Sequence, residues 1–226
     1  MSSESTILNT PVPPQTSAPV ATVPPIWQVT IGVMALQGDF DAHEKALAAL
    51  PGVSVKRVRT VADLDSVDGL ILPGGESTTM AKLLLRFELM EPLKKRLNAG
   101  MPAFGTCAGL ILLSEDILNR PEQPTIGVLS CTVDRNAFGR QVDSFETDLA
   151  FPLPDEPAAM VRAVFIRAPY VVQARGEAQV LATYDNRIVA VQQNNILGIA
   201  FHPELTGDLR VHSYFVNLVR HSTEKR

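Results

Sequence analysis

Pro102-Ala103-Phe104-Gly105-Thr106-Cys107-Ala108-Gly109-Leu110-Ile111-Leu112-Leu113 reads as a short strand, a tight turn and an apolar helix. Cys107 stands at the turn, with a glycine two residues to either side. That spacing is the Gly-x-nucleophile-x-Gly arrangement, which needs small neighbours because the chain reverses sharply. A cysteine at a helix N-terminus meets the positive end of the peptide dipoles, which favours the reactive thiolate. The backbone N–H of Ala108 would face an oxyanion formed at the attacked carbon. A free cysteine also serves simply as a small buried hydrophobe, and these five residues alone leave both readings open. Cys131 lies in an apolar strand pattern without such flanks and is read as structural.

Outward from this turn the chain alternates strand and helix. Val29-Thr30-Ile31-Gly32-Val33-Met34-Ala35-Leu36 is nearly continuous in apolar residues, which suits a strand covered on both faces. Asp39 is placed to cap a helix with Phe40, His43, Leu47 and Leu50 on its inner face. Residues 53–58 and 69–72 read as strands, the second stopped by Pro73-Gly74-Gly75. A helix with Met80, Leu83, Leu84 and Phe87 inward should follow, then another over about 91–98, ended by Gly100. This alternation predicts a doubly wound α/β sheet. Further strands are expected near 127–134, 142–149, 161–166, 178–184, 188–193 and 196–201, and a last helix over about 208–221. The expectation is one domain whose parallel central sheet is extended by antiparallel strands.

Composition narrows the classes. The 226 residues fit one domain of α/β or barrel type. Hydrophobic residues at 46% and charged residues at 19% suffice for a sizeable core. No window approaches the roughly 18 to 20 apolar residues of a membrane span. A net charge of −4 gives no basic footprint for nucleic acid or an anionic membrane. Two cysteines cannot frame a disulfide scaffold, so a reducing, cytoplasmic setting is expected. Residues 1–26 are rich in Pro, Ser and Thr, with Glu4 as their only charge. They are read as a disordered tail, lacking both the pattern of a signal peptide and the arginines of a transit peptide. The domain itself is expected over 27–222, with a short C-terminal tail at 223–226.

Two further segments could carry chemistry. In His202-Pro203-Glu204, an extended chain would set both side chains on one side, with Glu204 holding one imidazole nitrogen. A strand-end histidine beside a solvated glutamate is the plainer alternative. Pro73-Gly74-Gly75-Glu76-Ser77-Thr78 offers glycine N–H groups for close approach to a ligand, Gly75 among them as an oxyanion donor. It also fits a plain turn with Ser77 as helix cap. It lacks the ending of a P-loop and the spacing of a dinucleotide fingerprint. No zinc-ligand spacing occurs, and no metal or cofactor is expected.

Glycine loop, cysteine turn and His-Pro-Glu, in that order, resemble class I, triad-type glutamine amidotransferases. The closer resemblance is to the glutaminase subunits of pyridoxal 5'-phosphate synthases. It rests on Ala35-Leu36-Gln37-Gly38, on residues 72–80 and 105–109, on the Arg135–Glu146 block, on Val164–Pro169 and on Phe201–Asp208. It covers about Val29 to Val219. The resemblance implies a flavodoxin-like three-layer sandwich and hydrolysis of L-glutamine to glutamate and ammonia. Cys107 would be nucleophile, His202 general base and acid, and Glu204 its orienter. Gly75 and Ala108 would form the oxyanion hole. Gly75, Glu76, Ser77, Arg135, Ile166 and Arg167 would hold glutamine. The implied partner is a (β/α)8-barrel synthase subunit in a large ring assembly, which receives the ammonia. Three rival readings are a glutaminase feeding another synthase, a cysteine hydrolase or peptidase, and a non-catalytic binding subunit. The first should lack the Arg135–Glu146 block.

Overall fold

The computed structural model describes residues 28–135, 144–154 and 156–224. Residues 1–26, expected as a tail, lie outside them, as does most of the Arg135–Glu146 block. The chain runs β1 (Val29–Met34), α1 (Phe40–Ala48), β2 (Val53–Val58), α2 (Val61–Asp65), β3 (Gly69–Leu72), α3 (Ser77–Arg86), α4 (Met90–Asn98), β4 (Ala103–Thr106) and α5 (Ala108–Leu113). Then follow β5 (Ser114–Ile117), β6 (Leu129–Asp134), β7 (Ser144–Leu153), β8 (Glu156–Ile166), β9 (Tyr170–Ala174), β10 (Gln179–Tyr184), β11 (Arg187–Gln193) and β12 (Ile196–Ile199). A 3-10 turn at Pro203–Leu205 leads to α6 (Arg210–Glu224). Among the described residues no helix is long and apolar enough to cross a membrane.

The large sheet has the order β2-β1-β3-β4-β12-β11-β9-β6-β5, with β10 also paired to β11. β2, β1, β3, β4 and β12 are mutually parallel, and β11 turns antiparallel. This is the flavodoxin-like order expected, with antiparallel additions. β3, β4 and β12 are buried at every position, as strands covered on both faces must be. The period of two in β4 sorts the layers. Phe104 points to one face, where its ring meets His43 of α1 and both His212 and Phe215 of α6. Gly105 points to the other, against Gly109 and Leu113 of α5.

The expectations needed four corrections. β7 and β8 do not extend the central sheet; they pair with each other as a separate ribbon. Phe151 and Phe165 on the ribbon pack against Phe201, which ties it to the end of β12. Phe87 is 50% exposed and not inward, because α3 ends at Arg86 and the chain turns away. Asp39 sits at the N-cap position of α1 but its side chain makes no capping bond; its N–H donates to the Gly74 carbonyl instead. Glu76, not Ser77, caps α3, because its carboxylate accepts from the N–H groups of Thr78 and Thr79.

Candidate active site

The strand order reverses between β1 and β3, and the ends of parallel strands at such a point form a natural crevice. Gln37 follows β1, Gly74 and Gly75 follow β3, Cys107 follows β4, and His202 lies just past β12. All five line one cleft of about 470 Å3. Glu76, Ser77, Arg135, Ile166 and Arg167 line it too. Ala108 is buried beside Cys107, and the Glu204 side chain has no exposure. The sequence-predicted residues therefore converge, with Glu204 and Ala108 buried outside the lining.

Cys107 takes φ 48° and ψ −101°, a conformation costly for any residue with a side chain, by about 1–3 kcal/mol. The surroundings over-determine it. Its N–H donates to Ile199 O at 2.9 Å, and its carbonyl accepts from Ile111 N–H at 3.2 Å. A Cβ on Gly109 would lie 2.0 Å from Leu72 O, and one on Gly105 would lie 2.5 Å from the Gly109 carbonyl carbon. Only glycine at both places lets β3, β4 and α5 close on the turn. The small residues around Cys107 thus serve backbone approach, as the turn motif requires.

His202 Nδ1 and Glu204 Oε1 are 2.7 Å apart. The pairing holds, but its cause differs from the one expected. The segment is not extended: Pro203 opens the 3-10 turn, its fixed φ suiting that position, and the turn folds Glu204 back beneath the ring. His202 N–H donates to Val164 O of β8 at 2.8 Å, so the ribbon anchors the turn. Burial alone would lower the His202 pKa. Hydrogen bonds to Cys107 and Glu204, together with their negative charge, outweigh it and hold the imidazole up to about 10. Burial likewise opposes charge on Glu204, yet His43 and His202 keep its carboxyl well below the usual carboxylate range. The Gly74 backbone walls the ring: a Cβ there would lie 2.3 Å from His202 Cε1.

The expected glutamine-holding groups are tied into a network. Burial would raise the Glu76 carboxyl, but hydrogen bonds from Thr79 and Thr78 bring it down to about 2. Arg135 donates to Glu76 Oε1 at 2.9 Å, to Thr78 Oγ1 at 3.0 Å and to Gln123 Oε1 at 2.5 Å. Gln123 also donates to Ser77 Oγ at 3.1 Å. Arg167 holds φ 42°, a second non-glycine residue at positive φ on the cleft. Three residues escaped the sequence reading of the site. Gln37 accepts from Glu76 N–H at 2.9 Å and supports the glycine loop. Its place after the first strand was the available signal. Gln123 gave none, and His43 only its inward helical spacing, since its contacts with Thr106 and His212 span long stretches of chain.

A model of the SNO glutamine amidotransferase family matches residues 33–221. Among curated relatives, the pyridoxal 5'-phosphate synthase subunit PdxT of Carboxydothermus hydrogenoformans is 56% identical over 84% of this chain and 97% of its own. The protein of the same name from Nocardia farcinica is 57% identical over 84% of this chain and 86% of its own. A solved glutamine amidotransferase is 46% identical, with a TM-score of 0.79 over 84% of this chain and 98% of its own. The chain belongs to the SNO glutamine amidotransferase family.

Proposed function

We propose that this chain hydrolyses L-glutamine to L-glutamate and ammonia through Cys107, His202 and Glu204, by way of a thioester. The observation that carries this reading is the meeting of a strained Cys107 turn and a 2.7 Å His202–Glu204 pair in one cleft. The Cys107 sulfur attacks the side-chain amide carbon. His202 takes the thiol proton and returns it to the departing ammonia. Water, deprotonated by His202, then attacks the thioester, releasing glutamate and restoring the thiol. Glu204 keeps the imidazole oriented and supports its positive charge. The N–H groups of Gly75 and Ala108 stabilise the oxyanion. Arg135 and Arg167 supply positive charge for the glutamine carboxylate, and Glu76 negative charge for its ammonium group. Ser77 and the backbone of Ile166 complete the polar contacts.

The ammonia goes to a (β/α)8-barrel synthase subunit, in a ring assembly that makes pyridoxal 5'-phosphate. The family and the PdxT relatives support this destination. A thiol nucleophile suits a reducing compartment, the cytoplasm. The catalytic unit runs from 27 through the end of α6 at Glu224, two residues past the expected boundary at 222, and residues 1–26 take no part in the chemistry. Acid-quenching the protein with the synthase during turnover of glutamine should leave a glutamyl group on the peptide holding Cys107. Finding that group elsewhere, or on none of the peptides while glutamate is released, would overturn the thioester.

A further inference from the structure

Behind Glu204 lie two histidines that this mechanism does not use. His43 on α1 and His212 on α6 are both fully buried. His43 Nε2 stands 3.2 Å from Thr106 Oγ1 and 3.4 Å from Glu204 Oε1. His43 Nδ1 lies 3.1 Å from His212 Nε2. Among the described residues, nothing hydrogen-bonds His212 Nδ1 or Glu204 Oε2. No three such side chains among the described residues could hold a metal ion, so the group is a chain of contacts.

The protons on this chain can be assigned by counting partners. Burial pushes His212 well below the usual imidazole range, so it is neutral and carries one ring proton. A buried N–H without an acceptor is rarer and costlier than a bare acceptor. The proton therefore sits on His212 Nε2, the nitrogen with a partner, and Nδ1 is bare. His212 Nε2–H then donates to His43 Nδ1, which must itself be bare. His43 carries its proton on Nε2, where Glu204 Oε1 and Thr106 Oγ1 face it. The groups around the chain agree with this direction. Glu204 is met by His43 on one side and His202 on the other, with Cys107 beyond His202, and Asp208 lies near His212.

We infer that His43, oriented by His212, is a positioning residue for the triad: its Nε2–H is the second donor to Glu204 Oε1 and fixes the carboxylate that orients His202. This rests on the Cys107–His202–Glu204 reading. With Oε2 unpaired, Glu204 would otherwise depend on His202 alone, the group it has to hold in place. Thr106 shares the same N–H and sets the plane of the His43 ring.

The test uses the full chain with the synthase subunit and reads kcat and KM for glutamine. His43→Leu removes the donor and keeps apolar volume. His43→Gln places an amide N–H near the lost Nε2–H. His43→Leu should lower kcat about ten-fold with KM unchanged. His43→Gln should recover most of that loss. A packing role predicts the reverse order, with Leu tolerated better than Gln. Leu with full kcat, or Gln no better than Leu, would overturn the proposal. Should neither variant fold, nitrogen NMR of the wild-type histidines decides: both rings should be Nε2–H tautomers, and an Nδ1–H at either would overturn it. Cys107→Ala separates the two levels. If it abolishes turnover while His43→Leu retains it, only this inference falls. Turnover surviving in Cys107→Ala would remove the triad reading and the inference with it.

Discussion

At the scale of single residues, the site is a set of buried groups whose charges depend on one another, and pH exposes this. His202 is held up to about 10 against an ordinary 6.5. Its contribution to stability is therefore complete below about pH 6.5 and is lost as pH rises toward 10. His212 is pushed down to about 3, so the folded state loses ground as pH falls below 6.5. Glu204, held low, adds to the acid loss below about 4.5. Burial pushes the Cys131 thiol up to about 12 from 9, which matters only above pH 9. The unfolding free energy from urea titrations should thus peak near pH 6.5 and already be falling at 8.5. His202→Asn should flatten that alkaline limb. A maximum at pH 8.5, or an unchanged slope in His202→Asn, would contradict these assignments. The short patterns around Cys107 and around His202 and Glu204 each left a plainer reading open, and only the order of the three segments, through the family resemblance, singled those residues out. His43 was not singled out: helical spacing marked it as inward, but its contacts with Thr106 and His212 lie 63 and 169 residues away.

Among elements, glycine decides how closely the strands and helices approach the site. Gly109 and Gly74 make a contrasting pair. A Cβ at Gly109 meets backbone, Leu72 O at 2.0 Å, which cannot move without separating α5 from β3. A Cβ at Gly74 meets the His202 ring, which can swing aside. Gly109→Ala should therefore cost at least about 3 kcal/mol of stability by denaturant titration. Gly74→Ala should cost less than about 1 kcal/mol of stability and lower kcat by more than ten-fold. Equal effects of the two on stability would contradict this division. The strands that bear the site were readable, because β1, β3, β4 and β12 are nearly continuous apolar runs. β5 was not, since Ser114-Glu115-Asp116-Ile117 has no strand pattern of its own and forms by pairing with β6. α2 was missed although Thr60 and Asp63 form a capping box, because five residues carry too little periodicity. The β7–β8 ribbon had a clear alternation, but alternation says nothing about which strand is the neighbour.

On the scale of the whole molecule, the sheet and the ribbon have separate tasks. The parallel strands deliver Gln37, Gly75, Cys107 and His202 to one end of the sheet. The ribbon holds the His202 backbone through Val164 and carries Ile166 and Arg167 into the cleft. The most direct measurement is glutamate released from L-glutamine by the full chain, alone and with the synthase subunit, for wild type and Cys107→Ala. The account predicts release that rises with the synthase and falls to background in Cys107→Ala. Release that persists in Cys107→Ala, or none from a folded wild type with a competent synthase, would contradict it.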